Sequence, residues 1–250
     1  MLHTVYDIPY TKFEVLRILK PSFEPLRANL GQQVYQHLRD KIFSMEIEPG
    51  TSLGVGEIAA QLGVSRSPVR DALLMLVSEG IVELLPNGGY GVIQFDRKYI
   101  DDAFVLRRAL EVTAVRLCVE NLERERVQAL RDTWEKFRLA DVSDPQLRER
   151  HVSADQHLHQ SLTEMCGNAM LKDVLDKVIS ITGLIRMWYY TASVPNSQLI
   201  MTAEEHLKFL DAMLAHNADG AAAAMEDHVR NAHARTLARL DMAEAGTMPH

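Results

Sequence analysis

Nine of the thirteen glycines lie between Gly31 and Gly91, and none falls between Val92 and Cys166, where Pro145 is the single proline. Glycine and proline are the strongest punctuators of local structure, so the chain changes architecture near residue 95. Short elements joined by tight turns are expected before that point, and long uninterrupted helices after it. A length of 250 residues is about twice the commonest domain size and accommodates both. The expected division is an extension over 1–28, a compact unit over 29–96 and a helical domain over 97–245. The extension, with Pro9, Pro21 and Pro25, either packs on the surface or stays mobile.

Residues 101–120, 123–140 and 145–166 carry apolar positions at three- and four-residue spacing, Leu106, Leu110, Val112 and Leu117 being one example. Further helices are expected at 169–193, 200–216 and 218–243, the last capped by Asn217. The fold class is therefore mainly α, ending in an all-α bundle of six or seven helices.

In the compact unit, Val34, Leu38, Ile42 and Phe43 mark one face of a first helix, and Glu48-Pro49-Gly50 turns the chain. A second short helix is expected from Val55 to Leu62. Gly63 then supplies a turn, and Ser65-Arg66-Ser67-Pro68 opens a third helix with hydroxyl caps and a proline whose missing N–H costs nothing there. Ala72, Leu73, Leu76 and Val77 would pack its inner side. After Gly80, Ile81–Leu85 and Tyr90–Ile93 alternate around Pro86-Asn87-Gly88-Gly89, the pattern of a β-hairpin. Helix, short turn and helix followed by a small hairpin wing is a DNA-reading geometry.

Arg66 and Arg70 are four residues apart and share a face at the end of the third helix that enters the major groove. There an arginine can pair with guanine or clamp a phosphate. The whole chain carries 27 Lys plus Arg against 34 Asp plus Glu, a net charge of −7, which excludes non-specific coating of nucleic acid. Residues 1–97 hold 9 basic against 11 acidic side chains, so DNA binding must use a local patch and the positive helix end.

No stretch approaches the roughly 18 apolar residues of a membrane span, and Asp7 and Glu14 interrupt the place of a signal peptide. A cytoplasmic protein without a membrane partner is expected. Cys118 and Cys166 are too few and too distant for a disulfide framework and read as buried thiols.

Glu48-Pro49-Gly50-Thr51-Ser52-Leu53, Leu62-Gly63-Val64-Ser65-Arg66-Ser67-Pro68-Val69-Arg70-Asp71-Ala72-Leu73, Glu79-Gly80-Ile81-Val82 and Pro86-Asn87-Gly88-Gly89 resemble the winged helix-turn-helix of the GntR family of bacterial transcription regulators. The resemblance covers about 31–95. It implies that Arg66 and Arg70, within the motif that includes Ser65 and Ser67, contact double-stranded operator DNA. It also implies that Gly89 lets the hairpin tip approach the minor groove. Met45 stands where the family often has Gly, and Gly88 where the wing tip usually carries Arg.

Eight of the ten histidines lie beyond residue 150. Asp155 and His159 are i and i+4 on one helix face, as paired metal ligands require, while His206 and His228 fall on two later helices. One carboxylate with three imidazoles suits zinc, nickel or a related divalent ion. His151, four residues before Asp155, is a rival ligand; His157 points away from this stripe, and His216 suits a helix C-terminus.

Val105-Leu106-Arg107-Arg108-Ala109-Leu110-Glu111, Asp155-Gln156-His157-Leu158-His159 with Gly167-Asn168, Glu205-His206 and Met225-Glu226-Asp227-His228 are similar to signatures of the FCD effector domain, named for the fatty-acid regulator's C-terminal domain. This resemblance covers about 100–240. It implies a divalent ion held by Asp155, His159, His206 and His228, a homodimer, and a pocket for a small-molecule effector, commonly an organic acid. The residue matching Arg107 often lines that pocket, although Arg107 can equally pair with Glu111 one turn on. Arg186, in an apolar helix, is a second candidate for the effector carboxylate, and Met187, Trp188, Tyr189 and Tyr190 could shape the cavity.

The expected function is a DNA-binding transcription repressor modulated by a carboxylate effector. One alternative is a metal-dependent helical enzyme, which no HExxH-like base beside a ligand supports and which leaves Arg66 and Arg70 unexplained. The other keeps the DNA reader and makes the helical domain a metal-free dimerisation module.

Overall fold

A computed structural model describes residues 29–141, 146–188 and 196–245, apart from the side chains of Arg148, Glu149 and Asn196, and divides the chain into two compact units after Asp96. Residues 1–28, Pro145, Tyr189, Tyr190 and the end expected for the helix at 169–193 lie outside the described residues.

In the first unit, α1 (Leu30–Phe43) buries Val34, Leu38 and Ile42, each one turn from the next. It packs against α3 (Arg66–Ser78), whose inner face is Val69, Ala72, Leu73 and Leu76. Between them α2 (Val55–Leu62) ends at Gly63, which takes a left-handed φ of +66°. Phe43 is half-buried rather than core, with the Arg39 guanidinium 4.5 Å from its ring centroid. Val77 is likewise half-buried. The expected hydroxyl cap on α3 is absent: Ser65 makes no side-chain cap bond, and with Ser65 and Ser67 both exposed, water can serve the first-turn amides instead.

The wing contains three strands where a hairpin was expected. β1 (Ser52–Leu53), β2 (Val82–Leu84) and β3 (Tyr90–Val92) form an antiparallel sheet in the order β1-β3-β2, with Leu84 opposite Tyr90 and Ser52 opposite Gly91. A two-residue strand is too short to show alternation, which is why β1 escapes a periodicity reading. The turn before it depends on Gly50, at φ +79°, whose N–H donates to the Val92 carbonyl at 3.0 Å. A Cβ there would fall 2.0 Å from Gln94 Nε2. Met45 also takes a left-handed φ, +62°, a conformation that glycine adopts at least cost.

The second unit holds six described helices: α4 (Arg97–Glu120), α5 (Arg124–Arg138), α6 (Leu147–Met165), α7 (Ala169–Trp188), α8 (Asn196–Leu214) and α9 (Ala218–Glu244). Asn217 caps α9 as expected, its side chain accepting from Gly220 N at 2.9 Å. The helix α4 packs against α6, α7, α8 and α9, and α8 packs against α5 and α9.

The apolar stripe of α4 runs opposite to expectation. Leu106 is 44% exposed, with Val105 beside it at 55%, while the buried face is Ile100, Phe104, Arg107, Glu111, Ala114, Val115, Cys118 and Val119. Two charged residues occupy that inner face, so hydrophobicity alone pointed to the outer one. Cys118 and Cys166 are buried free thiols, and burial pushes the Cys118 thiol up to about 12, which makes it inert. No described helix is long and apolar enough to cross a membrane.

Candidate metal centre and DNA-reading face

Asp155 and His159 project one turn apart from α6 and meet His206 from α8 and His228 from α9. One ligand atom from each lies within 4.8 Å of every other. All four are in the core, from 0% exposed for His206 to 3% for Asp155. His206 Nε2 is 3.4 Å from Asp155 Oδ1 and 3.3 Å from His228 Nε2. His159 Nε2 and His206 Nδ1 are buried with no hydrogen-bond partner among the described residues. An unsatisfied buried polar atom costs about 1–3 kcal/mol, and ligation would remove that cost for His159 Nε2, whose other ring nitrogen is already bonded to Glu111. The three-nitrogen, one-oxygen donor set fits a divalent ion of the zinc or nickel type.

The protonation states also fit. Burial holds His206 well below the usual histidine range, with the charge of His228 adding to it, and burial lowers His228 to about 4. Both rings are therefore neutral at pH 7, as ligands must be. For Asp155, burial opposes ionisation, but Arg186 and then His159 and His206 outweigh it and hold the carboxyl well below its ordinary value.

Behind two of the histidines stand carboxylates. His159 Nδ1 bonds Glu111 Oε2, and Arg107 Nε donates to Glu111 Oε1 at 2.5 Å. His228 Nδ1 is 2.9 Å from Glu205 Oε2, and Glu205 also accepts from Arg235 and Asn231. Burial works against ionisation of both glutamates, yet each is lowered to about 2: Glu111 mainly by the charges of His159 and Arg107, Glu205 by hydrogen bonds from His228 and Arg235. Each carboxylate directs the free lone pair of its imidazole away from itself, the usual outer support of a metal ligand.

A cavity of about 40 Å³ adjoins the cluster, with Asp155, His228, Arg186, Arg235, Arg239 and Thr202 among its walls. Arg186 lies there with Nη2 2.5 Å from Asp155 Oδ2. Arg107 is 2% exposed, forms the buried pair with Glu111 and is not among that cavity's lining residues. His151 also lines the cavity, but its Nε2 is engaged by the Leu199 carbonyl at 3.2 Å and it stands outside the four-residue cluster. His157 is exposed. His216 lies two residues beyond the end of α8, with a φ of +53°.

Residue spacing gives no sign that Glu111, Glu205 and Arg235 stand behind the candidate ligands. Glu205 adjoins ligand His206 in sequence but serves His228 on another helix, a relation that only the packing of α8 on α9 creates.

In the first unit, Ser65, Arg66, Ser67 and Arg70 are all exposed around the start of α3. The Arg66 guanidinium passes the start of α2, where a Cβ on Gly56 would lie 3.6 Å from Arg66 Nη2. In the turn between β2 and β3, Gly88 is exposed at φ +79°, and Gly89 N donates to Asn87 Oδ1 at 2.9 Å.

Residues 30–92 match the family described as bacterial regulatory proteins, gntR family, and residues 102–231 match the FCD domain. An uncharacterized HTH-type transcriptional regulator in an unstable DNA locus of Streptomyces ambofaciens is 28% identical over 80% of this chain and 81% of its own length. The HTH-type transcriptional repressor RspR of Escherichia coli K12 is 24% identical over 80% of this chain and 86% of its own. Among solved structures, E. coli McbR/YncC superposes with a TM-score of 0.69 at 23% identity, covering 84% of this chain and 98% of that one.

Proposed function

Because this chain belongs to the GntR family of transcription regulators and carries its FCD domain, making it a DNA-binding regulator and not an enzyme, we propose that it is a repressor whose operator binding responds to an organic acid held beside a divalent metal ion. The observation that carries the proposal is the buried cluster of Asp155, His159, His206 and His228 next to an arginine-walled cavity.

Arg66 and Arg70 read or clamp a palindromic operator, with Ser65, Ser67 and the Gly89 turn near the backbone. Operator symmetry calls for a homodimer presenting two α3 helices about 34 Å apart. The exposed Val105 and Leu106 on α4, with half-buried Leu110 and Leu117 on the same helix, support pairing through a second copy of this chain.

Asp155, His159, His206 and His228 hold the ion, which supplies when bound a concentrated positive charge toward carboxylate oxygens. Arg186 now pairs with Asp155 and stands in the cavity wall, where its planar fork matches a second carboxylate oxygen pair. Arg107 acts further back, holding Glu111 on His159. An effector shifts DNA affinity by stabilising one of two half-site spacings more than the other.

Metal analysis of protein purified without a histidine tag tests the centre. One equivalent of zinc or nickel per chain is expected, and His206→Ala should abolish it. Wild-type protein free of metal and unaltered in stability by chelator would remove the ion, while full occupancy in His206→Ala would point to another ligand such as His151.

A further inference from the structure

The two carboxylates behind the metal cluster differ in where they are anchored. Arg107 and Glu111 are sealed, each side chain 2% exposed. Arg235 is 20% exposed, holds a Glu205 that is 10% exposed, and forms part of the cavity wall. We propose that Arg235 and Glu205 are a positioning pair through which the cavity wall sets the grip of His228 on the metal. This rests on the metal reading above and extends it to residues that do not themselves bind the ion.

Glu205 Oε2 accepts a hydrogen bond from His228 Nδ1–H at 2.9 Å and a second from Arg235 Nη2 at 3.0 Å. Its Oε1 accepts from Arg235 Nη1 at 2.8 Å and from Asn231 Nδ2 at 2.9 Å. The carboxylate is thus pinned at both oxygens, and the bond to Nδ1 fixes the tautomer whose Nε2 lone pair belongs to the cluster. A two-pronged guanidinium orients the carboxylate plane as a single-point cation cannot. Without Arg235, Glu205 can turn and the His228 ring loses its orientation. Since Arg235 is also a cavity wall, an anion in the cavity meets the same guanidinium that steadies the ligand.

Coulomb's law alone predicts the opposite effect, because deleting a cation near a cation site tightens metal binding. Nickel titration of tag-free, full-length protein separates the two. Trp134 reports binding through its fluorescence, its ring lying 3.9 Å from that of His206. Arg235→Met and Glu205→Gln should each weaken nickel binding by about 10- to 100-fold. Arg235→Lys should recover part of the loss, and Arg230→Met, which removes an exposed cation of the same helix outside the cavity, should leave the affinity as it is. At saturation with cobalt, the visible absorption band of Arg235→Met should differ from wild type, a change that lowered fold stability would not produce. Wild-type or tighter nickel affinity in Arg235→Met overturns the pair, as does equal weakening by Arg230→Met. If Arg235→Met does not fold, Glu205→Gln and Arg235→Lys decide by the same titration. A wild-type protein that takes up no nickel, zinc or cobalt overturns the metal reading itself, and the pair with it.

Discussion

The two units place their candidate functional side chains differently: outside the core in the first and within it in the second. In the first, the core is built on apolar side chains, with Val34, Leu38, Leu73, Leu76 and Val92 at 0% exposure, and Arg66 and Arg70, the arginines proposed to contact DNA, stand outside it. In the second, Arg107, Glu111, Asp155, His159, His206 and His228 are themselves core residues, none more than 3% exposed. Function and stability are therefore separable in the first unit and entangled in the second. A reader of DNA must present its chemistry to a large partner, whereas a sensor of an ion and a small acid, the role proposed for the second unit, would gain by removing water from its charges.

The largest expected effect follows from the entangled unit. Glu111→Ala strands Arg107 and His159 without their shared carboxylate, and breaking such a buried pair costs about 3–5 kcal/mol. Both tryptophans, Trp134 and Trp188, lie in this unit, so denaturant melting followed by tryptophan fluorescence reads it alone. A loss under about 1 kcal/mol, the size of an ordinary surface change, would show that the charges are not integral to the core.

Arg66→Ala sharpens the contrast from the other side. Operator affinity should fall by about 1–3 kcal/mol while the melting of the protein moves by no more than about 0.5 kcal/mol. Titration of labelled operator beside a thermal melt checks both, and a destabilised variant would mean that Arg66 is structural.

Gly50→Ala should destabilise the first unit by about 1–2 kcal/mol or more, from the left-handed φ and the crowding of Gln94. Amide hydrogen exchange at Leu38 and Leu76 should report it without change in the second unit. The smallest effect is a gain: Met45→Gly relieves a left-handed backbone and should stabilise the same amides by about 1 kcal/mol. Slower exchange is expected there, and faster exchange would show that Met45 packing outweighs its strain.

The same contrast explains what could be read before the fold was known. In the first unit, turn residues and alternating apolar runs are local signals, and α1, α2, α3 and the hairpin all follow from them; only β1 depends on a partner far along the chain. In the second unit, Asp155 and His159 were legible because four residues bring them to one face of a helix. Their convergence with His206 and His228 drew on family resemblance, since spacing between helices carries no distance. The inner face of α4 is hidden from a hydrophobicity rule because Arg107 and Glu111, buried there, look like surface residues to it. The sealed pair and the Glu205–Arg235 pair emerge only once α4, α6, α8 and α9 are packed together.

The central claim, that a buried metal-and-acid site governs an exposed DNA reader, meets its most direct test in a mobility shift with DNA from upstream of the protein's own gene, using tag-free protein and competitor DNA. Metal-loaded protein should form a specific complex that one member of a panel of small carboxylates dissolves, and His206→Ala should bind the same DNA without responding to that carboxylate. A specific complex equally indifferent to every carboxylate, to chelator and to His206→Ala would contradict the account.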